Sequence, residues 1–207
     1  MAKDAEWITI VFDLEVNVAE DRRGDEPRLQ FLFVTADDGR ANIDIVDTGR
    51  LGNGVRSGQR RRGHVSSNNV PSRENPFLGV IVRALEDDRS RSSDRNRDRD
   101  RLESAVRERA QELLRTNRLN SDELWLSANN APLVDRVFRD DDDKIGVSIR
   151  RYPDFGIELT DAARDDNGPI SAGAHTIRGF TKEFLLRFVE DEANYILRGR
   201  ITGAFLS

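Results

Sequence analysis

The 207-residue chain contains no cysteine and a single methionine. Disulfide bonds, thiolate nucleophiles and cysteine-ligated zinc are thereby excluded from its chemistry. Lysine is scarce as well. Three lysines stand against thirty arginines, a bias whose plain source is a GC-rich genome rather than a demand for guanidinium groups. Long apolar runs are also missing. No stretch approaches the ~20 apolar residues of a membrane-crossing helix, and the opening MAKDAEWITI lacks the basic start and apolar segment of a secretion signal. A soluble protein is expected, cytoplasmic by default, with non-classical export left open. The two histidines, His64 and His175, have no metal-ligating partners at helical spacing and no triad pattern around them. A net charge of −5 speaks against wholesale binding of nucleic acid.

What is present is β pattern. WITIVFDLEVNV, residues 7 to 18, alternates strictly, with Ile8, Ile10, Phe12, Leu14, Val16 and Val18 on one side. A period of two is that of a half-buried strand. RLQFLFVTA predicts a second strand, ended by a turn at Asp37 to Gly39, and ANIDIVDT a weaker third. PFLGVIVRAL is a continuous apolar run of strand length, as in a central strand buried on both faces. KIGVSIRRY predicts a further strand, and TKEFLLRFV with YILRGRITGAFL a hairpin in which Tyr195, Leu197, Ile201 and Phe205 share one face.

Between these lie segments of other character. Residues 49 to 75 are rich in Gly, Ser, Asn and Arg and read as a mobile basic loop, in which Arg60, Arg61 and Arg62 are solvated. RSRSSDRNRDRDR, residues 89 to 101, has no apolar side chain and reads as a flexible linker. Leu102, Ala105, Val106, Ala110, Leu113 and Leu114 then form an apolar helical stripe. SDELWLS predicts a short helix capped by Ser121, and NNAPLVDRVF another with Asn130 as N-cap. DAARDDNGPISAGAH reads as a long loop. The expectation is one domain over 1–207, with 89–139 a linker plus helical insertion at one edge of the sandwich.

The acidic residues are crowded. EDRRGDEPRLQFLF places Glu20, Asp21, Asp25 and Glu26 just ahead of a strand. The stretch is similar to the D-x-x-G-x-S-D-P-Y-V-K-V pattern of C2 domains, which are calcium- and phospholipid-binding β-sandwiches; Glu26 stands directly before Pro27. A second C2 feature, a strand running into D-x-D, is matched by VIVRALEDD at Glu86 and Asp88, and DDDDKIG supplies Asp143 before Ile145 and Gly146. The resemblance implies a mainly β, C2-like antiparallel β-sandwich with an inserted helical segment. It also implies calcium held by Glu20, Glu26, Glu86, Asp88 and Asp143, an ion that takes six to eight oxygen ligands. The chain departs from the family in using Glu at three of these positions, in placing Arg28 after the proline, and in the long insertion before Asp143. The bland reading is that these acidic loops only solvate a strand end.

Two functions follow. One is a non-enzymatic C2-like binding module, calcium-dependent, recognising a protein or anionic lipid and no nucleic acid. The other is a structural subunit or cargo protein of a larger assembly that binds no metal, a reading supported by the helical insertion.

Overall fold

Strict alternation in the first strand and its loss in the second and fifth have one structural cause, which is the number of layers packed on each sheet. The computed structural model describes residues 5–19, 24–87, 92–131, 143–164, 170–172, 175–190 and 193–206. In chain order these form β1 (Ala5–Val18), β2 (Pro27–Asp37), β3 (Arg40–Arg50), β4 (Gln59–Ser67), β5 (Leu78–Glu86), α1 (Ser92–Arg115) and α2 (Glu123–Asn129). They continue with β6 (Asp143–Tyr152), α3 (Phe155–Arg164), β7 (Ile170–Ala172), β8 (His175–Glu190) and β9 (Ala193–Leu206). One sheet runs β4-β1-β9-β8-β7 and the other β3-β2-β5-β6, every pair antiparallel. The protein is a two-sheet β-sandwich with a helical segment between β5 and β6. No helix among the described residues is long and apolar enough to cross a membrane.

The inner faces meet in one core. Ile8, Ile10, Phe12, Leu14 and Val16 of β1 pack with Leu29, Phe31 and Phe33 of β2 and Tyr195, Leu197 and Ile201 of β9. The rings of Phe12 and Phe31 lie 5.3 Å apart. Two aromatic rings also fill space left by glycines on the neighbouring strand. A Cβ at Gly63 would stand 2.4 Å from the ring of Phe12, and one at Gly199 would stand 2.6 Å from the ring of Phe184. Each ring lies over bare backbone, an inter-strand fit that only a glycine permits.

The helices do not sit at an edge. Leu102, Val106, Ala110 and Leu113 of α1, with Leu124 of α2, cover the outer face of the four-stranded sheet and meet Leu32, Val34, Ile45 and Ile81 in a second core. This makes three layers. It also explains why β2 and β5 lack alternation, since nearly every residue of both strands is buried on one face or the other.

Four local expectations are corrected. Residues 92–101, read as a flexible linker, are the first turns of α1. The stripe of the helix continues upstream at i, i+3 and i+4 spacing as Arg95 and Asp98; Asp98 is buried, and Arg95 reaches Asp87 at 3.0 Å. Composition misled because these charges meet other charges instead of water. The supposed basic loop contains β4, an edge strand of which Val65 and Ser67 alone are buried. DAARDDNGPISAGAH contains the end of α3 and all of β7; α3 seats Phe155 and Leu159 in the main core. Finally, α2 is preceded by Asp122, with no side-chain cap from Ser121, and Asn130 closes its C-terminus, donating its N–H to the Leu126 carbonyl at 2.9 Å. The helix expected after Asn130 lies outside the described residues.

The predicted turn after β2 is present. Asp38 and Gly39 adopt φ of 46° and 72°, the positive values that a two-residue hairpin requires. Gln111 of α1 braces this hairpin by accepting from the Ala41 N–H at 3.0 Å and donating to the Gly39 carbonyl at 2.9 Å.

Candidate functional site

The register brings part of the predicted acidic set together. Pro27 is opposite Glu86, and Glu86 is opposite Asp143, so Glu26, Glu86 and Asp143 stand on three adjacent strands at one end of the four-stranded sheet. Glu20 and Asp88 lie outside the described residues, and of Asp143 the backbone alone is described. Glu26 accepts the Gly54 N–H at 3.2 Å, and Glu86 is buried. Among the described residues no three acidic or histidine side chains are grouped so as to hold a metal ion.

The positive charge beside these carboxylates is guanidinium. Arg28 and Arg83 are the largest fully buried side chains among the described residues. Arg28 and Gln30 alternate with Leu29 and Phe31 along β2, so they face the helical layer. Arg28 Nε donates to both oxygens of Asp47, at 2.9 and 3.0 Å, and its Nη2 joins the same carboxylate. Gln30 donates to Asp47 at 3.1 Å and accepts from Arg83 Nε at 2.9 Å. Asp87, wholly buried, draws Arg95 to 3.0 Å, Arg50 to 3.4 Å and Arg28 to 4.0 Å. Its backbone N–H donates to the Glu26 carbonyl at 3.0 Å. On the other side, Tyr195 donates its hydroxyl to Asp25 at 2.7 Å, both residues fully buried, and Asp25 bridges to Val55. The charged first half of α1 closes over this cluster through Arg95.

Burial pushes the Asp47 carboxyl up, but the hydrogen bonds and charge of Arg28, with help from Gly49 and Gln30, outweigh it and hold the group below its ordinary 3.8. A carboxylate depressed in the folded state adds stability that is full above its unfolded pKa and is lost as pH falls through the folded one. The melting temperature is therefore expected to hold down to about pH 4 and then fall. Asp47→Asn should start lower at neutral pH and change less between pH 4 and pH 2. Thermal melts of both proteins across that range check this; parallel curves would contradict it.

A second region was not singled out as a site by the sequence. The outer face of the five-stranded sheet carries striped charge. Along β4, Arg60 is opposite Glu15, Arg62 opposite Asp13 and His64 opposite Val11. Across β1 and β9, Glu15 meets Ile196, Asp13 meets Arg198 and Val11 meets Arg200. Beyond them on β8 stand Arg187, Leu185 and Glu183. Glu15 serves two cations, Arg60 at 3.0 Å and Arg198 at 2.8 Å. The Arg198 hydrogen bond, then the charges of Arg60 and Arg198, hold the Glu15 carboxyl below its ordinary value against opposing desolvation. Arg62 meets Asp13 at 3.0 Å. Val11, Leu185 and Val189 are three of the large apolar side chains left exposed. The signal for this face was present in YILRGRIT, where Arg198 and Arg200 alternate with the core residues Leu197 and Ile201.

No family model and no curated protein matches the chain.

Proposed function

We propose that this protein is a non-enzymatic, C2-like protein-binding module that engages its partner through the outer face of the five-stranded sheet. One observation carries the reading: the other outer sheet face is covered by α1 and α2, whereas this one bears five arginines, three carboxylates and exposed Val11 and Leu185. Mixed apolar and arginine surface is the composition of protein interfaces. The acidic strand ends serve the fold in this reading, because arginines supply the counter-charge that calcium would otherwise provide. The alternative, a structural subunit of a larger assembly, would use the same face.

A photo-crosslinking residue placed at Leu185, compared with one at the equally exposed Leu126 on α2, tests the reading in the protein's own cells. Discrete adducts from position 185 and none from 126 are expected, unchanged by chelator. Adducts from 126 alone, or from neither, would remove the proposed face. In parallel, calcium and chelator should give the same melting temperature. Calcium at 100 times its Kd would stabilise by about 2.7 kcal/mol, or roughly 5–10 °C at ~2–4 °C per kcal/mol. Such a rise would reinstate Glu20, Glu26, Glu86, Asp88 and Asp143 as an ion site.

A further inference from the structure

We infer that the partner presents an acidic, extended segment to a groove where β1, β9 and β8 meet the edge strand β6. The inference rests on the binding-face reading above and adds the chemistry of the partner. The groove measures about 760 Å³, and its lining includes Arg150, Arg151, Arg198 and Arg200 together with Asp13 and Glu183.

Three of these cations hold their charge in reserve. Arg150 donates to a neutral acceptor, the Leu185 carbonyl, at 2.5 Å. Arg198 shares the single carboxylate of Glu15 with Arg60. Arg200 forms no ion pair with another described residue, although Glu183 is directly opposite in the register. The fourth, Arg151, turns its guanidinium to the helical layer, where it meets Asp122 ahead of α2 at 2.6 Å. The backbone bond orients the Arg150 guanidinium, and the planar fork of each arginine suits bidentate carboxylate recognition.

The lining also discriminates between anions. Asp13 and Glu183 interrupt the positive stripe, so a continuous phosphate backbone would meet like charge at both. A peptide can place carboxylates on the arginines and apolar side chains on Val11 and Leu185. An extended segment turns every second side chain to the same face, so one with acidic and apolar residues taking turns at every second position presents both kinds to Arg200 and Val11, which are opposite each other in the register.

The test is fluorescence anisotropy with a short labelled peptide in which glutamate and leucine take turns at every second position with serine between them, titrated with the full chain at ~50 mM salt and again at ~300 mM. Binding that weakens with salt, is absent for the glutamine counterpart, and falls about tenfold in Arg200→Glu supports the inference. Arg115→Glu, on the helical layer, should bind like the parent. Arg200 has no ion pair among described residues, so its variants should keep the parent melting temperature, and Arg200→Gln should give an intermediate affinity. Absence of peptide binding at low salt, equal binding of the glutamine peptide, or tighter binding of a single-stranded oligonucleotide would each overturn it. Should the peptide fail while adducts at position 185 persist, the face stands and the acidic chemistry is wrong. Failure of both removes the face itself.

Discussion

Replacing residues 89 to 139 with a short Gly-Ser loop is expected to abolish the folded monomer. Closing a loop of that length differently costs little, so the loss would come from what the helices cover. Leu32, Val34, Ile45 and Ile81 are fully or almost fully buried under α1 and α2. Exposing each side chain forfeits about 1.5–3 kcal/mol, so four together forfeit roughly 6–12 kcal/mol, as much as the whole stability of a typical domain, about 5–15 kcal/mol. The deletion would also strip Arg95 from Asp87 and the helical cover from Arg28 and Arg83. Circular dichroism and size-exclusion chromatography decide the matter. Aggregation or a featureless spectrum is expected, and a monomeric β spectrum with a cooperative melt would show that the second core is dispensable.

Asp87→Ala is expected to lower the melting temperature more than any single change on the sheet surface. The carboxylate is fully buried and stands within 4.0 Å of three arginines. Removing one partner of a buried ion pair costs about 3–5 kcal/mol when the charge left behind stays desolvated, as Arg28 does here, while Arg50 and Arg95 are partly exposed. For a chain of this size that is a fall of roughly 6–20 °C at ~2–4 °C per kcal/mol. Asp13→Ala removes an exposed pair with Arg62 and should cost under about 1 kcal/mol. Thermal melts of the two variants compare buried with exposed charge directly. A shift of similar size in both would mean that the Asp87 cluster is solvated in solution.

Legibility in the sequence followed how each residue was covered. β1 could be read because it packs on one face, so Ile8 through Val16 alternate with polar side chains. β2 and β5 could be read as strands from their apolar runs, but which layer covered each face could not. The stripe from Leu102 to Leu113 announced α1, whereas Arg95 and Asp98, on the same face, looked like solvent-exposed linker. A charge buried against another charge has no signature in composition. β4 escaped notice because an edge strand needs only Val65 and Ser67 inside, its remaining stability coming from backbone pairing and from Arg60 and Arg62 opposite Glu15 and Asp13. The register sets Glu26, Glu86 and Asp143 at neighbouring strand ends. The arginines brought there from β2, β3, β5 and α1 were not anticipated, since no spacing relates Arg28 to Asp87.

The rings of Phe12 and Phe184 over Gly63 and Gly199 have a consequence for how this sequence can drift. Neither glycine can acquire a side chain while its phenylalanine remains, and a smaller residue in place of either phenylalanine leaves a hole that the glycine cannot fill. Phe12 and Gly63 are thus inherited as a unit, with a compensating double change as the accessible route between lineages, whereas a Cβ at Gly199 would also stand 2.8 Å from the Val11 carbonyl oxygen and no change at Phe184 frees that position. Distant kin of this chain would preserve the sum of the volumes at positions 12 and 63 even where neither letter survives, and would keep a glycine at position 199.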